Sequence, residues 1–146
     1  MIPGFNIEGA LPAGVHRATW NEFKARYGAN THRSRIIGGM LEALRSLKAA
    51  GCQTVYIDGS FVTEKALPND FDGCWDIRNV DPAKLDPILL TFANRRAAQK
   101  AKFKGELFPT SIQAVSGRTY LEFFQHDSRT GNRKGIVEID LLTETL

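Results

Sequence analysis

The residues best suited to chemistry fall in two short runs, Gly59-Ser60 and Asp70-Phe71-Asp72. A glycine at 59 lets the backbone approach a polyphosphate where a side chain would collide. Ser60 adds a hydroxyl and, at the start of a helical turn, a backbone amide aimed at phosphate oxygens. Asp70 and Asp72 are two residues apart, so in a strand both carboxylates leave the same face. Carboxylates that close repel unless a cation lies between them, and Mg²⁺ prefers oxygen ligands from carboxylates and phosphates. Metal held there can activate an attacking hydroxyl and steady a leaving pyrophosphate. Thr63 and Lys65 lie in the connecting segment, where the lysine can meet phosphate charge.

Strands and helices must bring these runs together. Gln53 to Ile57 reads as a buried strand ending at the Gly-Ser pair, and Asp70 to Ile77 as a second strand. Between them, Phe61 to Lys65 fits one helical turn and Leu67-Pro68-Asn69 a turn. Upstream, residues 1–17 read as an extended, Gly- and Pro-rich lead-in. Thr19 and Glu22 have capping-box spacing for a short helix carrying Trp20, Phe23 and Tyr27 on one face, closed by Gly28. Ile36, Ile37, Met40, Leu41, Leu44 and Leu47 make the stripe of a second helix, with Gly51 as its stop. Gly38-Gly39 inside it implies either a late start or a close neighbour. Downstream, Pro82 to Lys104 is predicted as one long helix and Leu107 to Val115 as a strand bent or at an edge near Pro109. Arg118 to Gln125 is open between helix and strand, Asp127 to Lys134 is a polar turn, and Gly135 to Leu142 is a last strand. The expected architecture is a single α/β (α+β) domain over residues 1–146, a mixed β-sheet flanked by helices.

The run from Tyr56 to Ser60, a spacer of nine residues, and Asp70-Phe71-Asp72 together resemble the signature of the polymerase-β-like nucleotidyltransferases. The order strand, Gly-Ser, short spacer, Asp-x-Asp is far more specific than either pair alone. Leu11-Pro12-Ala13-Gly14, Asp58 to Thr63, Asp70 to Trp75, Phe123-Phe124-Gln125 and Lys134 to Val137 further resemble a family of short, uncharacterised bacterial and phage proteins related to those enzymes. The resemblance implies a metal-dependent transfer of a nucleoside monophosphate from an NTP to a protein, RNA or small-molecule acceptor. It implies Mg²⁺ or Mn²⁺ on Asp70 and Asp72, with Gly59, Ser60, Thr63 and Lys65 on the substrate. It also implies a third carboxylate on a later strand. Glu106 comes at the expected point in chain order; Asp140 lies in a better strand, one element later. By analogy, nucleotidyltransferase-like proteins of this size serve in toxin–antitoxin or phage-defence pairs.

Composition narrows the field. At 146 residues, 42% hydrophobic and 24% charged, the chain suits one ordinary globular domain. It has no apolar run long enough to span a membrane and no signal-peptide start, so a cytoplasmic location is expected. Cys52 and Cys74 form no C-x-x-C pair, which fits reduced thiols rather than a zinc site. Trp75 suits the core, with base stacking as its functional alternative. Five basic residues, Arg95, Arg96, Lys100, Lys102 and Lys104, occur with no acid between them, and Arg129, Arg133 and Lys134 surround the polar turn. Both sets suit nucleic acid or phosphate, or a plain solvated surface. A catalytically inactive binding module, an antitoxin or regulatory partner that kept the fold, is the alternative to the enzyme.

Overall fold

A computed structural model describes residues 1–115, 117–127 and 130–146. In chain order its elements are β1 (Gly14–Ala18), α1 (Trp20–Tyr27), α2 (Thr31–Ala49), β2 (Thr54–Asp58), β3 (Phe71–Trp75), α3 (Ala93–Phe103), β4 (Gly105–Pro109), β5 (Gln113–Val115), β6 (Arg118–Thr119), α4 (Tyr120–Phe123) and β7 (Gly135–Asp140). Five strands make one mixed sheet in the order β1-β7-β2-β3-β4, and β5 and β6 pair separately. β2 lies at its centre, antiparallel to both β7 and β3; β1 runs parallel to β7, and β4 parallel to β3. This is a single α/β domain.

Alternation decides which side of the sheet is core. Val55, Ile57, Phe71, Trp75, Leu107, Val137 and Ile139 are buried in one cluster with the apolar residues of α1 and α2. The intervening residues, Tyr56, Asp58, Asp72, Glu106 and Glu138, therefore share the opposite face. The helix on Trp20 begins as its capping box requires: Glu22 N–H donates to Thr19 Oγ1 at 3.1 Å and Thr19 N–H to Glu22 Oε1 at 3.3 Å. In α2, a Cβ on Gly39 would run into the Phe103 carbonyl at the end of α3, so a close neighbour explains Gly39, whereas a Cβ on Gly38 would meet open space.

Several expected elements differ. The lead-in turns back at residues 6–10, where Gly9 N–H donates to the Asn6 carbonyl at 3.0 Å, and its extended end, Gly14–Ala18, is an edge strand of the sheet. The long helix from Pro82 is instead two 3-10 turns, Pro82–Lys84 and Pro87–Leu90, followed by α3. Pro87 is the reason: it supplies no N–H and disfavours helical backbone at Asp86, whose carboxylate caps the new turn at Ile88 N–H (2.9 Å). Leu85 and Leu89 stay buried all the same. The strand expected through Val115 ends at Pro109 on the sheet edge, and the segment left open between helix and strand is both, β6 then α4. Trp75 is buried in the core.

Candidate functional site

β2 ends at Asp58, and the chain then turns through a 3-10 segment, Gly59–Val62. Gly59 sits at φ 76°, in the left-handed region. A Cβ there would lie 3.2 Å from the Asp72 Cβ and Cγ and closer still to its Oδ2. The glycine thus brings backbone against the carboxylate and leaves no room for a side chain. Ser60 is half-buried, and its carbonyl accepts from Thr63 Oγ1 at 2.6 Å. The Thr63 hydroxyl is therefore engaged in holding the loop. Lys65 is exposed and lines a cavity of about 480 Å³ together with Gly59, Ser60, Thr63, Glu64 and Lys134.

The spacer is held from below by the start of α2. Arg33 is buried, and its guanidinium donates to the carbonyls of Phe61 (2.8 Å), Thr63 (3.0 Å) and Lys65 (2.5 Å). It also lies over the Phe61 ring. Asn30 Nδ2 donates to the Ala66 carbonyl at 3.0 Å, and His32 Nε2 meets that of Pro68. Nothing in the helical pattern marks these three residues as loop anchors, and no local sequence signal singles them out.

Register assembles the acids. Asp58 on β2 is directly opposite Asp72 on β3, and Asp72 is level with Glu106 on β4. Three carboxylates on neighbouring strands thus form a row across the sheet, with strands about 4.8 Å apart. Asp70 precedes β3 on the same side and is half-buried. Like charges directly opposed on a sheet destabilise it. Burial, then Asp70 and Glu106, push the Asp72 carboxyl up to about 7. Burial, then Glu106, raises Asp70. Asp58, fully buried, is raised well above the usual carboxylate range by burial and then by Asp72. Both its carboxylate oxygens lack a hydrogen-bond partner among the described residues.

Glu106 differs from its neighbours. Arg96 Nε donates to its Oε2 at 2.6 Å, and Lys100 Nζ lies 3.6 Å from Oε1. Among the described residues, no group of three or more His, Cys, Asp or Glu side chains is gathered to hold a metal ion. Even so, the donor set suits a hard divalent cation, being all carboxylate oxygen and including the two unpartnered oxygens of Asp58. Asp140 is not brought to this row. It pairs with Thr54, four residues from Asp58 on β2, which is about 13 Å along the strand. It lines a different depression, beside Arg17, Thr19 and Glu144.

Two further residues take places beside the site that the sequence does not specify, Lys134 having been marked only as part of a basic cluster suited to phosphate. Asp58 adjoins the Gly-Ser pair, but its lack of a partner needs the β2–β3 register to be seen. Lys134, at the foot of β7, lines the cavity beside Ser60, and its charge favours the ionised forms of Asp58 and Asp72. The basic run on α3 is largely committed: Arg96 and Lys100 to Glu106, and Lys102 to Asp86. Of the second basic cluster, Arg133 meets Glu122, and Arg129 lies outside the described residues.

An α/β domain with a row of strand-borne carboxylates beside a Gly-Ser turn is the class that this geometry defines. The model of DUF6932, a family of unknown function, matches residues 3–140, and the chain belongs to that family. No curated protein and no solved structure matches it. Among the described residues no helix is long and apolar enough to cross a membrane, and Cys52 and Cys74 are free and buried.

Proposed function

We propose that this chain is a metal-dependent nucleotidyltransferase that moves a nucleoside monophosphate from an NTP to a protein, RNA or small-molecule acceptor. The observation that carries the reading is the row Asp58, Asp72, Glu106, set by strand register beside Gly59-Ser60. The resemblance of those runs to the polymerase-β-like signature supports the same chemistry. Asp72 and Asp70, with Asp58 beneath and Glu106 alongside, would hold Mg²⁺ or Mn²⁺. The bound ion would offset charge on the phosphates and acidify an attacking hydroxyl.

The chain's own residues do the rest. Gly59 admits phosphate close to backbone, while Ser60, Lys65 and Lys134 line the cavity that would receive it. Arg33 fixes the loop that carries these contacts. The test is incubation of the purified protein with labelled NTPs, Mg²⁺ or Mn²⁺ and candidate acceptors. Label should transfer with wild type and not with Asp72→Asn; equal signals from both would refute the reading.

A second reading is favoured by one observation, the capture of Glu106 by Arg96 and Lys100. A carboxylate neutralised in this way suits a non-catalytic module, an antitoxin or regulatory partner that retains the fold. It predicts no transfer under any condition and a partner complex whose affinity ignores nucleotide and metal.

A further inference from the structure

The carboxylate row has a cavity at each end. The larger one lies beside Gly59-Ser60. The other, about 290 Å³, is lined by Asp72, Arg96 and Glu106 together with the rings of Phe108, Tyr120, Phe123 and Phe124. Aromatic stacking organises that wall of rings. Phe108 is stacked between Phe92 (5.8 Å between centroids, 9° between planes) and Tyr120 (3.9 Å, 7°). Phe124 tilts against Tyr120 at 5.6 Å, and Phe123 meets Phe124 edge-on at 5.6 Å. Tyr120, Phe123 and Phe124 remain partly open to solvent. The Arg96 guanidinium lies 5.5 Å from the Phe108 centroid while bonded to Glu106.

We infer that this aromatic cleft is a nucleobase subsite, which takes the base of a nucleotide whose phosphates lie toward Asp72. The inference rests on the nucleotidyltransferase reading and deepens it. Phe108 is covered on both faces and supports the wall, while the partly exposed Tyr120, Phe123 and Phe124 offer aromatic surface suited to stacking any of the bases, with the Arg96 guanidinium adding a cation beside it. Sites of this kind combine mostly apolar walls with a few polar groups that fix orientation. Here the polar groups are the acids of the proposed reaction centre. The span from β2 to β4 is about 10 Å, so one ligand can reach from the Gly-Ser cavity across Asp72 into the cleft. A cluster serving only as packing beneath β5 and β6 would have no need to open onto Asp72 and Glu106.

The test uses the whole protein in EDTA, which separates base recognition from metal chemistry. Saturation-transfer NMR with adenosine, ATP and a tetraadenylate RNA, each with and without unobserved tripolyphosphate as competitor, reads which part of each probe touches protein. On wild type, base protons should be saturated more strongly than ribose protons, and adenosine should bind without any phosphate. Phe123→Ala should weaken adenosine about 5- to 150-fold, the range for one lost stacking contact, while Phe123→Tyr keeps it. Preferential ATP binding assigns the cleft to the donor base, and preferential tetraadenylate binding to the acceptor. Should Phe123→Ala fail to fold, the wild-type saturation pattern still decides. Uniform saturation of base and ribose, or unchanged adenosine binding by a folded Phe123→Ala, would overturn the subsite. Nucleotidyl transfer observed alongside that result would leave the enzyme reading intact. Adenosine binding lost in Phe123→Ala but kept in Asp72→Asn, with no transfer by wild type, would sustain the subsite and sink the enzyme reading instead.

Discussion

Replacing Asp72 with asparagine should stabilise the metal-free protein at neutral pH, and the gain should grow with pH in a defined window. The Asp72 carboxyl is raised from 3.8 to about 7, by burial first and by Asp70 and Glu106 after it. Between those pH values the folded chain keeps a proton that the unfolded chain releases. The folded state therefore binds more protons, and wild-type stability falls as pH climbs from about 4 to about 7, then levels. At about 1.4 kcal/mol per pH unit, the loss from this group is on the order of 4 kcal/mol. That is an upper bound, because Asp58 stands opposite and shares the same field. For a chain of this size it corresponds to roughly 10 °C in melting temperature. Guanidinium unfolding in EDTA, followed by the fluorescence of the buried Trp20 and Trp75, reads it directly. The variant and wild type should be nearly equal at pH 4 and separate steadily to about pH 7.5. Saturating Mn²⁺ should then recover stability in wild type and do little for the variant. A variant less stable than wild type at pH 8, or a gap independent of pH, would refute the claim that the acids oppose one another.

Three other substitutions test separate parts of the site. Gly59→Ala forces a side chain into left-handed backbone at about 1–2 kcal/mol and into the Asp72 carboxylate besides, so it should lower stability by at least that much and abolish nucleotide binding; an alanine variant as stable as wild type in chemical denaturation would contradict the geometry. Arg33→Met removes the donor to three loop carbonyls and should cost at least about 3 kcal/mol, with amide exchange accelerated at residues 61–65; unchanged exchange there would show that the loop is held by something else. Arg96→Gln frees Glu106 from its closest cation and should tighten Mn²⁺ binding about fivefold in calorimetry, as expected for a competing ion pair worth about 1 kcal/mol; weaker binding would mean that Arg96 supports the metal rather than competing with it.

What the sequence disclosed about this site followed from local rules. Two-residue periodicity put Asp70 and Asp72 on one face, the capping box began α1 where Thr19 and Glu22 required, and the Gly-Ser pair fell at the end of a buried strand. The missing parts needed long-range information. Choosing between Glu106 and Asp140 requires the strand order, and β7 enters the sheet between β1 and β2 although it is last in the chain. That order sends Asp140 to the far end of β2 and sets Glu106 level with Asp72. Arg33 shows the same limit: on a helical wheel it is one more cation, and only the folded spacer supplies its carbonyls. Pro87 was a local signal that the apolar stripe on either side of it obscured.

The distribution of partners among the acids bears on why they are there. Desolvation costs most for the deepest charge, so a network built for stability would neutralise that one first. Here the order is reversed. Glu106, outermost on the edge strand, has Arg96 and Lys100, whereas Asp58, on the central strand and fully buried, has no hydrogen bond among the described residues. Arg33 makes a telling contrast, since it is also buried yet is satisfied by carbonyls on every side that matters. The fold can evidently partner a buried charge when stability alone is at stake. Leaving Asp58 and Asp72 face to face costs stability that the chain could recover with one amide; under the proposed metal-dependent reading, a bound cation would offset that cost. Asp58→Asn and Asp72→Asn should accordingly both stabilise the metal-free protein, and the pair together should gain less than the two gains added, because either change alone removes the repulsion.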